Sequence, residues 1–206
     1  MRTFVSMFVA GLLIFSAWLA NADKKIEFVD TSTVYRQCEY TKQGRSPYYG
    51  HYGYVITTPE NYMVFPRFED VQKTNELAVF MPCTIAQNVV GPAVYGQLDE
   101  ALYGVEGVIR MEVQPRMING IRYDLAMSKK VITQFLQKRG EVFETKEVSL
   151  ALPAFEIDVT KPVELKILTI EGQKVMYQFT TGQGNDVIDD MIKSLREVNP
   201  HDHPGQ

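Results

Sequence analysis

Two cysteines, Cys38 and Cys83, are the residues whose chemistry follows most directly from this sequence, because only one intramolecular disulfide can form between them. Neither belongs to a Cys-x-x-Cys motif or stands beside an obvious base, as a reactive thiol would. Bridging them would close a loop of about 45 residues and stabilise the fold by roughly 4 kcal/mol. We therefore predict a structural disulfide, formed in an oxidising compartment.

The second candidate for chemistry is a tyrosine-rich segment, since seven of the eleven tyrosines lie between residues 35 and 62. Tyrosine combines a broad apolar ring with a polar tip, which suits recognition surfaces, and interspersed glycines permit tight turns. We predict a binding surface on a loop that carries Tyr48, Tyr49, His51, Tyr52 and Tyr54. The alternative is that these rings fill the edge of a β-sheet core, where tyrosine is also favoured.

Signals for catalysis or metal binding are weak. The sequence contains no G-x-S-x-G, H-E-x-x-H, G-x-G-x-x-G or P-loop pattern. A histidine-based hydrolase would depend on His51, because the other two histidines lie in the tail segment His201-Asp202-His203, which could hold a metal only loosely. Acidic pairs that could serve a glycosidase if folding brought them together are Glu60 with Glu69 and Asp99 with Glu100. We predict no catalytic residues, no metal site and no cofactor.

The N-terminal 22 residues have the pattern of a secretory signal peptide. Arg2 precedes an apolar run from Phe4 to Leu19, and Ala20-Asn21-Ala22 provides the small residues that a signal peptidase requires. We expect cleavage after Ala22, and the alternative is an uncleaved anchor helix. The mature protein is then predicted to be periplasmic or secreted, with no membrane span after residue 22.

Composition and charge limit the classes of partner. The chain is 45% hydrophobic and 22% charged, which suits a globular fold, and its formal net charge is −4. Loss of Arg2 with the leader would make the mature chain slightly more acidic. Without a basic stripe, such a protein is unsuited to neutralising phosphates, so nucleic-acid binding is not expected.

Period-two patterning dominates the mature chain and predicts short strands. An alternating run covers 34–40, and several more lie between 148 and 179. Short β-branched or aromatic runs cover 52–57, 62–65 and 77–81; they are bounded by proline, so these strands should be short or at sheet edges. Asn119-Gly120 predicts a type I′ β-hairpin whose first arm, containing Pro115, should be an edge or bulged strand.

Helical spacing appears in three places. One helix is predicted from a Ser128 cap to Gly140, a second from Asn185-Asp186 to Val198, and a possible third over 93–103. The predicted fold class is α+β, a mostly antiparallel β-sheet packed by two or three short amphipathic helices. We expect a single domain over 23–199 and a flexible polar tail over 200–206.

These features favour an exported, non-enzymatic protein-interaction or envelope-associated module with one disulfide and a protein or envelope-surface partner. Two alternatives stay open. One is a periplasmic or secreted hydrolase acting on a glycan or peptide, and the other is a small-ligand carrier.

Overall fold

The computed structural model describes residues 38, 44–68, 75–89, 105–182 and 186–198. Its strands are β1 (Ser46–Gly50), β2 (Tyr54–Thr58), β3 (Tyr62–Phe68), β4 (Glu76–Pro82), β5 (Ile109–Pro115), β6 (Met117–Ile118), β7 (Ile121–Arg122), β8 (Val142–Ser149), β9 (Pro153–Lys161), β10 (Leu165–Glu171), β11 (Val175–Gly182) and β12 (Arg196–Glu197). The helices of these residues are α1 (Cys83–Val89), α2 (Leu125–Lys138) and α3 (Val187–Ser194). The predicted signal peptide, the helix at 93–103 and the tail at 200–206 lie outside the described residues, as does 34–40 except Cys38, which is helical.

Seven strands form one antiparallel sheet in the order β3-β4-β5-β11-β10-β9-β8. A smaller antiparallel sheet has the order β1-β2-β12, and β6 and β7 form a separate hairpin. The predicted α+β class with a mostly antiparallel sheet and short helices is therefore confirmed. Proline at position 66 is tolerated because β3 is an edge strand of the large sheet.

The largest hydrophobic cluster lies between one face of the seven-stranded sheet and a layer made of β2 and α3. Strand alternation sends alternate apolar residues of β4, β5, β10 and β11 into this cluster, and its fully buried aromatic members are Tyr54, Phe80, Tyr177 and Phe179. The small sheet is thus packed onto the large one through the same tyrosine-rich region that the sequence singles out.

On the opposite face of the large sheet, two of the described helices cover separate regions. Helix α2 packs on β8, β9 and β10 over a cluster that includes Leu136 and Ile157. Helix α1 packs on β3 and β4 beside the predicted disulfide, which is present between Cys38 and Cys83 with their Cα atoms 5.7 Å apart. These two cysteines, 1% and 6% exposed, belong to the core of that region.

Three details of the sequence prediction are wrong. Helix α2 begins four residues earlier than a Ser128 cap predicts and is capped by Asp124, whose side chain accepts a 2.8 Å hydrogen bond from the Met127 amide. Ser128 instead lies buried on the helix face that packs on the sheet. Helix α3 stops at Ser194, because Leu195 is extended and the next two residues pair with β2.

The third wrong detail concerns the strand that contains Pro115. The Asn119-Gly120 hairpin is confirmed, with both residues at positive φ. Strand β5, however, lies inside the large sheet between β4 and β11 rather than at its edge. Pro115 is tolerated because it is the last residue of β5 and extends past Val113, which is opposite the first residue of β4.

Candidate functional site

The structure gathers the tyrosine-rich segment around one buried carboxylate, Glu76, which is 2% exposed at the start of β4. Its Oε1 accepts hydrogen bonds of 2.9 Å from the hydroxyls of both Tyr48 and Tyr54. Its Oε2 accepts a 2.9 Å hydrogen bond from the backbone N–H of His51. Three donors on one carboxylate satisfy oxygen atoms that would otherwise be costly to bury.

The hairpin of β1 and β2 brings these donors together. Gly50 is opposite Tyr54 in the register, and the turn between them is closed by a 3.1 Å hydrogen bond from the Gly53 amide to the Gly50 carbonyl. Gly53 has a φ of 73°, a conformation that glycine adopts without a steric penalty. This turn directs the His51 amide toward Glu76, so the carboxylate on the large sheet fixes the turn of the small one.

Ring packing reinforces the hydrogen bonds. Tyr48 contacts Phe80 edge-on at 5.7 Å between ring centroids, and Tyr54 contacts Tyr177 edge-on at 5.5 Å. Gly50 lies so close to the Tyr54 ring that an added Cβ atom would be 1.9 Å from two ring carbons. Glycine at position 50 is therefore required by this approach, whatever its backbone angles.

A second carboxylate lies on the other side of the ring pair. Glu197 of β12 accepts a 2.8 Å hydrogen bond from the Gln173 amide and a longer one, 3.4 Å, from the Tyr177 hydroxyl. Tyr54 and Tyr177, whose rings are in edge-on contact, thus donate hydrogen bonds to two different carboxylates. This arrangement links the β10–β11 loop to the small sheet.

The five predicted binding residues fall into two groups. Tyr54 is fully buried and Tyr48 is half-buried, and the hydroxyls of both donate hydrogen bonds to Glu76. Tyr49 is 37% exposed on the opposite side of β1, His51 is exposed, and Tyr52 is half-buried beside the His51 ring. Only His51 and Tyr52 occupy the turn itself, while the other three belong to strands β1 and β2. A binding role for this segment stays a prediction.

Burial raises the pKa of Tyr54 and of Tyr48, and the negative charge of Glu76 raises both further. Burial together with Glu197 likewise raises the pKa of Tyr177. The three phenols are consequently protonated donors at neutral pH. The arrangement serves to hold a hairpin in place, and it offers no phenolate nucleophile.

Alkaline titration should therefore unfold the protein cooperatively. A phenol whose pKa is higher in the folded than in the unfolded chain contributes stability that is complete below pH ~10 and lost as the pH rises further. Each of Tyr48, Tyr54 and Tyr177 should lower the free energy of unfolding by about 1.4 kcal/mol per pH unit above that point. Tyrosinate absorbance and circular dichroism, recorded together, check this. Ionisation of all eleven tyrosines with an unchanged dichroism spectrum would contradict it.

The other residues considered for chemistry are not brought together in the described part of the chain. Glu60 is exposed in the β2–β3 turn, whereas Glu69, Asp99, Glu100, His201 and His203 lie outside the described residues. Within the described ranges, no three His, Cys, Asp or Glu side chains converge in a way that could hold a metal ion. None of the helices described is both long and apolar enough to cross a bilayer.

Sequence reasoning missed Glu76, the residue that organises this site. Its only signal is an acidic residue directly before the apolar run 77–81, and an exposed strand end would look the same. The positions of its donors, 22 to 28 residues earlier in the chain, follow from strand pairing.

No protein-family model and no curated protein matches the sequence. Among solved structures, the chain is similar to the Ran-binding protein Mog1p of Saccharomyces cerevisiae, with a TM-score of 0.42 and 10% sequence identity. The alignment covers 76% of this chain and 96% of that one.

Proposed function

We propose that the protein is exported and works outside the cytoplasm as a non-enzymatic protein-interaction or envelope-associated module. The observation that carries this proposal is the buried disulfide between Cys38 and Cys83. Disulfides persist in oxidising compartments and are rare where glutathione and thioredoxin keep thiols reduced. The signal-peptide pattern of residues 1–22 independently favours the same compartment.

Support for association comes from the β1–β2 hairpin. Its outer side carries Tyr49 of β1 and His51 of the adjoining turn, and Glu76 accepts a hydrogen bond from the His51 amide. A recognition surface that is already ordered loses little conformational entropy on binding, and tyrosine is suited to such surfaces. The partner class that fits is another protein or a component of the envelope surface.

The test isolates the tagged full-length chain from its native envelope fraction and identifies cross-linked partners by mass spectrometry. We expect a chain that begins at Asp23 and has no alkylatable thiol. The double variant Tyr49→Ser/His51→Ala should lose the recovered partner and change the free energy of unfolding by less than about 1 kcal/mol, because both side chains are exposed. Val163→Ala is the matched control, since Val163 and Tyr49 are each 37% exposed. Unprocessed chain with free thiols, or equal recovery by all three proteins, would refute the proposal.

A further inference from the structure

Strand β8 ends the seven-stranded sheet and pairs only with β9 among the described strands. Its eight residues are mostly exposed, in contrast to the buried strands β10 and β11. An edge strand presents a row of backbone N–H and C=O groups that can pair with another strand. The irregularity in its pairing with β9 places the extra residue, Thr160, on β9, so β8 itself alternates regularly.

One face of β8 carries, in order, Val142, Glu144, Lys146 and Val148. Val142 is 55% exposed and is one of the few large apolar side chains on the described surface. The Lys146 side chain is 54% exposed and forms an ion pair with Asp158 of β9. The pattern along this face is therefore apolar, negative, positive, apolar.

We propose that β8 pairs antiparallel with β8 of a second copy of this chain, with Thr145 on the two-fold axis. In this register Glu144 of each copy is opposite Lys146 of the other, and Val142 of each is opposite Val148 of the other. The ion pair and the apolar pair are each made twice, as an interface between identical copies requires. Opposite charges and apolar side chains directly across an antiparallel pair are each stabilising.

The charges select this register over its neighbours. A two-residue shift in one direction would place Glu144 opposite Glu144, and a shift in the other direction would place Lys146 opposite Lys146. Like charges directly across a strand pair are destabilising. A one-residue shift would place Glu144 and Lys146 of one copy opposite residues from the other face of β8 in the second copy, so neither ion pair would form. The pattern on β8 thus both supports one mode of self-pairing and disfavours open-ended edge aggregation.

Sedimentation equilibrium of the purified protein at low salt tests this inference. We expect a reversible monomer–dimer equilibrium. Glu144→Lys replaces both ion pairs by like-charge pairs and should raise the dissociation constant at least about ten-fold. Glu147→Lys is the matched control, because Glu147 has the same charge and lies on the same strand, but on its other face, opposite Phe143 of the second copy. The control should change the dissociation constant by less than about two-fold.

Mixing two variants gives a sharper result. Lys146→Glu alone should also weaken the dimer, but Lys146→Glu mixed with Glu144→Lys restores both opposite-charge pairs, so a heterodimer should form. Circular dichroism must show that Lys146→Glu folds, because it removes the contact with Asp158. If it does not fold, the comparison of Glu144→Lys with Glu147→Lys decides alone. A wild-type monomer up to millimolar concentration, or equal weakening by Glu144→Lys and Glu147→Lys, would overturn the proposal, as would folded variants that fail to associate when mixed.

Discussion

Replacing Glu76 with alanine should lower the free energy of unfolding by about 3–5 kcal/mol. The substitution leaves the hydroxyls of Tyr48 and Tyr54 and the amide of His51 without their shared acceptor, in a region that is largely closed to water. Each buried donor left unsatisfied costs about 1–3 kcal/mol. Urea unfolding followed by circular dichroism measures the effect, and Glu60→Ala serves as the control. Glu60 is an exposed turn residue, so its removal should cost less than about 0.5 kcal/mol.

Two further variants separate the hydrogen bonds from the packing. Glu76→Gln keeps the size of the side chain and one acceptor oxygen, and should cost about 1–2 kcal/mol, because its amide group meets donors that the carboxylate satisfied. Tyr54→Phe should be destabilising in the wild type and nearly neutral in Glu76→Ala, with a coupling of about 1–2 kcal/mol. A Glu76→Ala midpoint indistinguishable from that of Glu60→Ala, or additive effects of Tyr54→Phe and Glu76→Ala, would show that Glu76 does not organise the hairpin.

Local patterns were sufficient for most elements of the fold. Alternation identified β9, β10 and β11 because their apolar residues face two hydrophobic clusters on opposite sides of one sheet. Asn119-Gly120 identified its hairpin because both residues adopt positive φ at little cost. The two cysteines identified their bridge because no other pairing was available.

The errors occurred where long-range contacts outweigh local signals. Ser128 has the chemistry of a helix cap, yet the apolar stripe of α2 extends back to Leu125, so the helix begins at Leu125 and Ser128 faces the sheet. The apolar residues of α3 continue past Ser194 at helical spacing, to Leu195 and Val198, so the local sequence there fits a helix as well as a strand. Arg196 and Glu197 nevertheless adopt a strand because β2 offers an edge for pairing. A short stretch of sequence contains no information about the strand that pairs with Arg196 and Glu197, or about the sheet face that packs against Ser128.

The tyrosine-rich segment shows the same limit at the candidate site. The rings of Tyr48, Tyr52 and Tyr54 pack in the cluster between the two sheets, while the binding role that the composition predicts stays a prediction. Treating five residues as one loop ignored strand alternation, which places Tyr48 and Tyr49 on opposite sides of β1. The alternation of side chains along a strand would have been enough to separate the inward from the outward rings. The acceptor, Glu76, could not be predicted in this way, because its contact depends on how the β1–β2 hairpin packs against β4.

Removing the disulfide should be the other large perturbation, lowering the free energy of unfolding by about 2–4 kcal/mol in the variant Cys38→Ala/Cys83→Ala. The bridge spans 45 residues and fixes position 38 to the start of α1, where the Cys83 amide also donates a 2.8 Å hydrogen bond to the Asn61 carbonyl. Without the bridge, the unfolded chain gains the freedom of that loop, while the cluster around Met63 and Met81 loses a buried contact. Thermal and urea unfolding with and without a reductant measure the loss. The unfolding midpoint of the reduced wild type should match that of the double variant, and a reductant should leave the double variant's midpoint unchanged. If the wild type has two titratable thiols and still unfolds at its oxidised midpoint, the disulfide has no stabilising role.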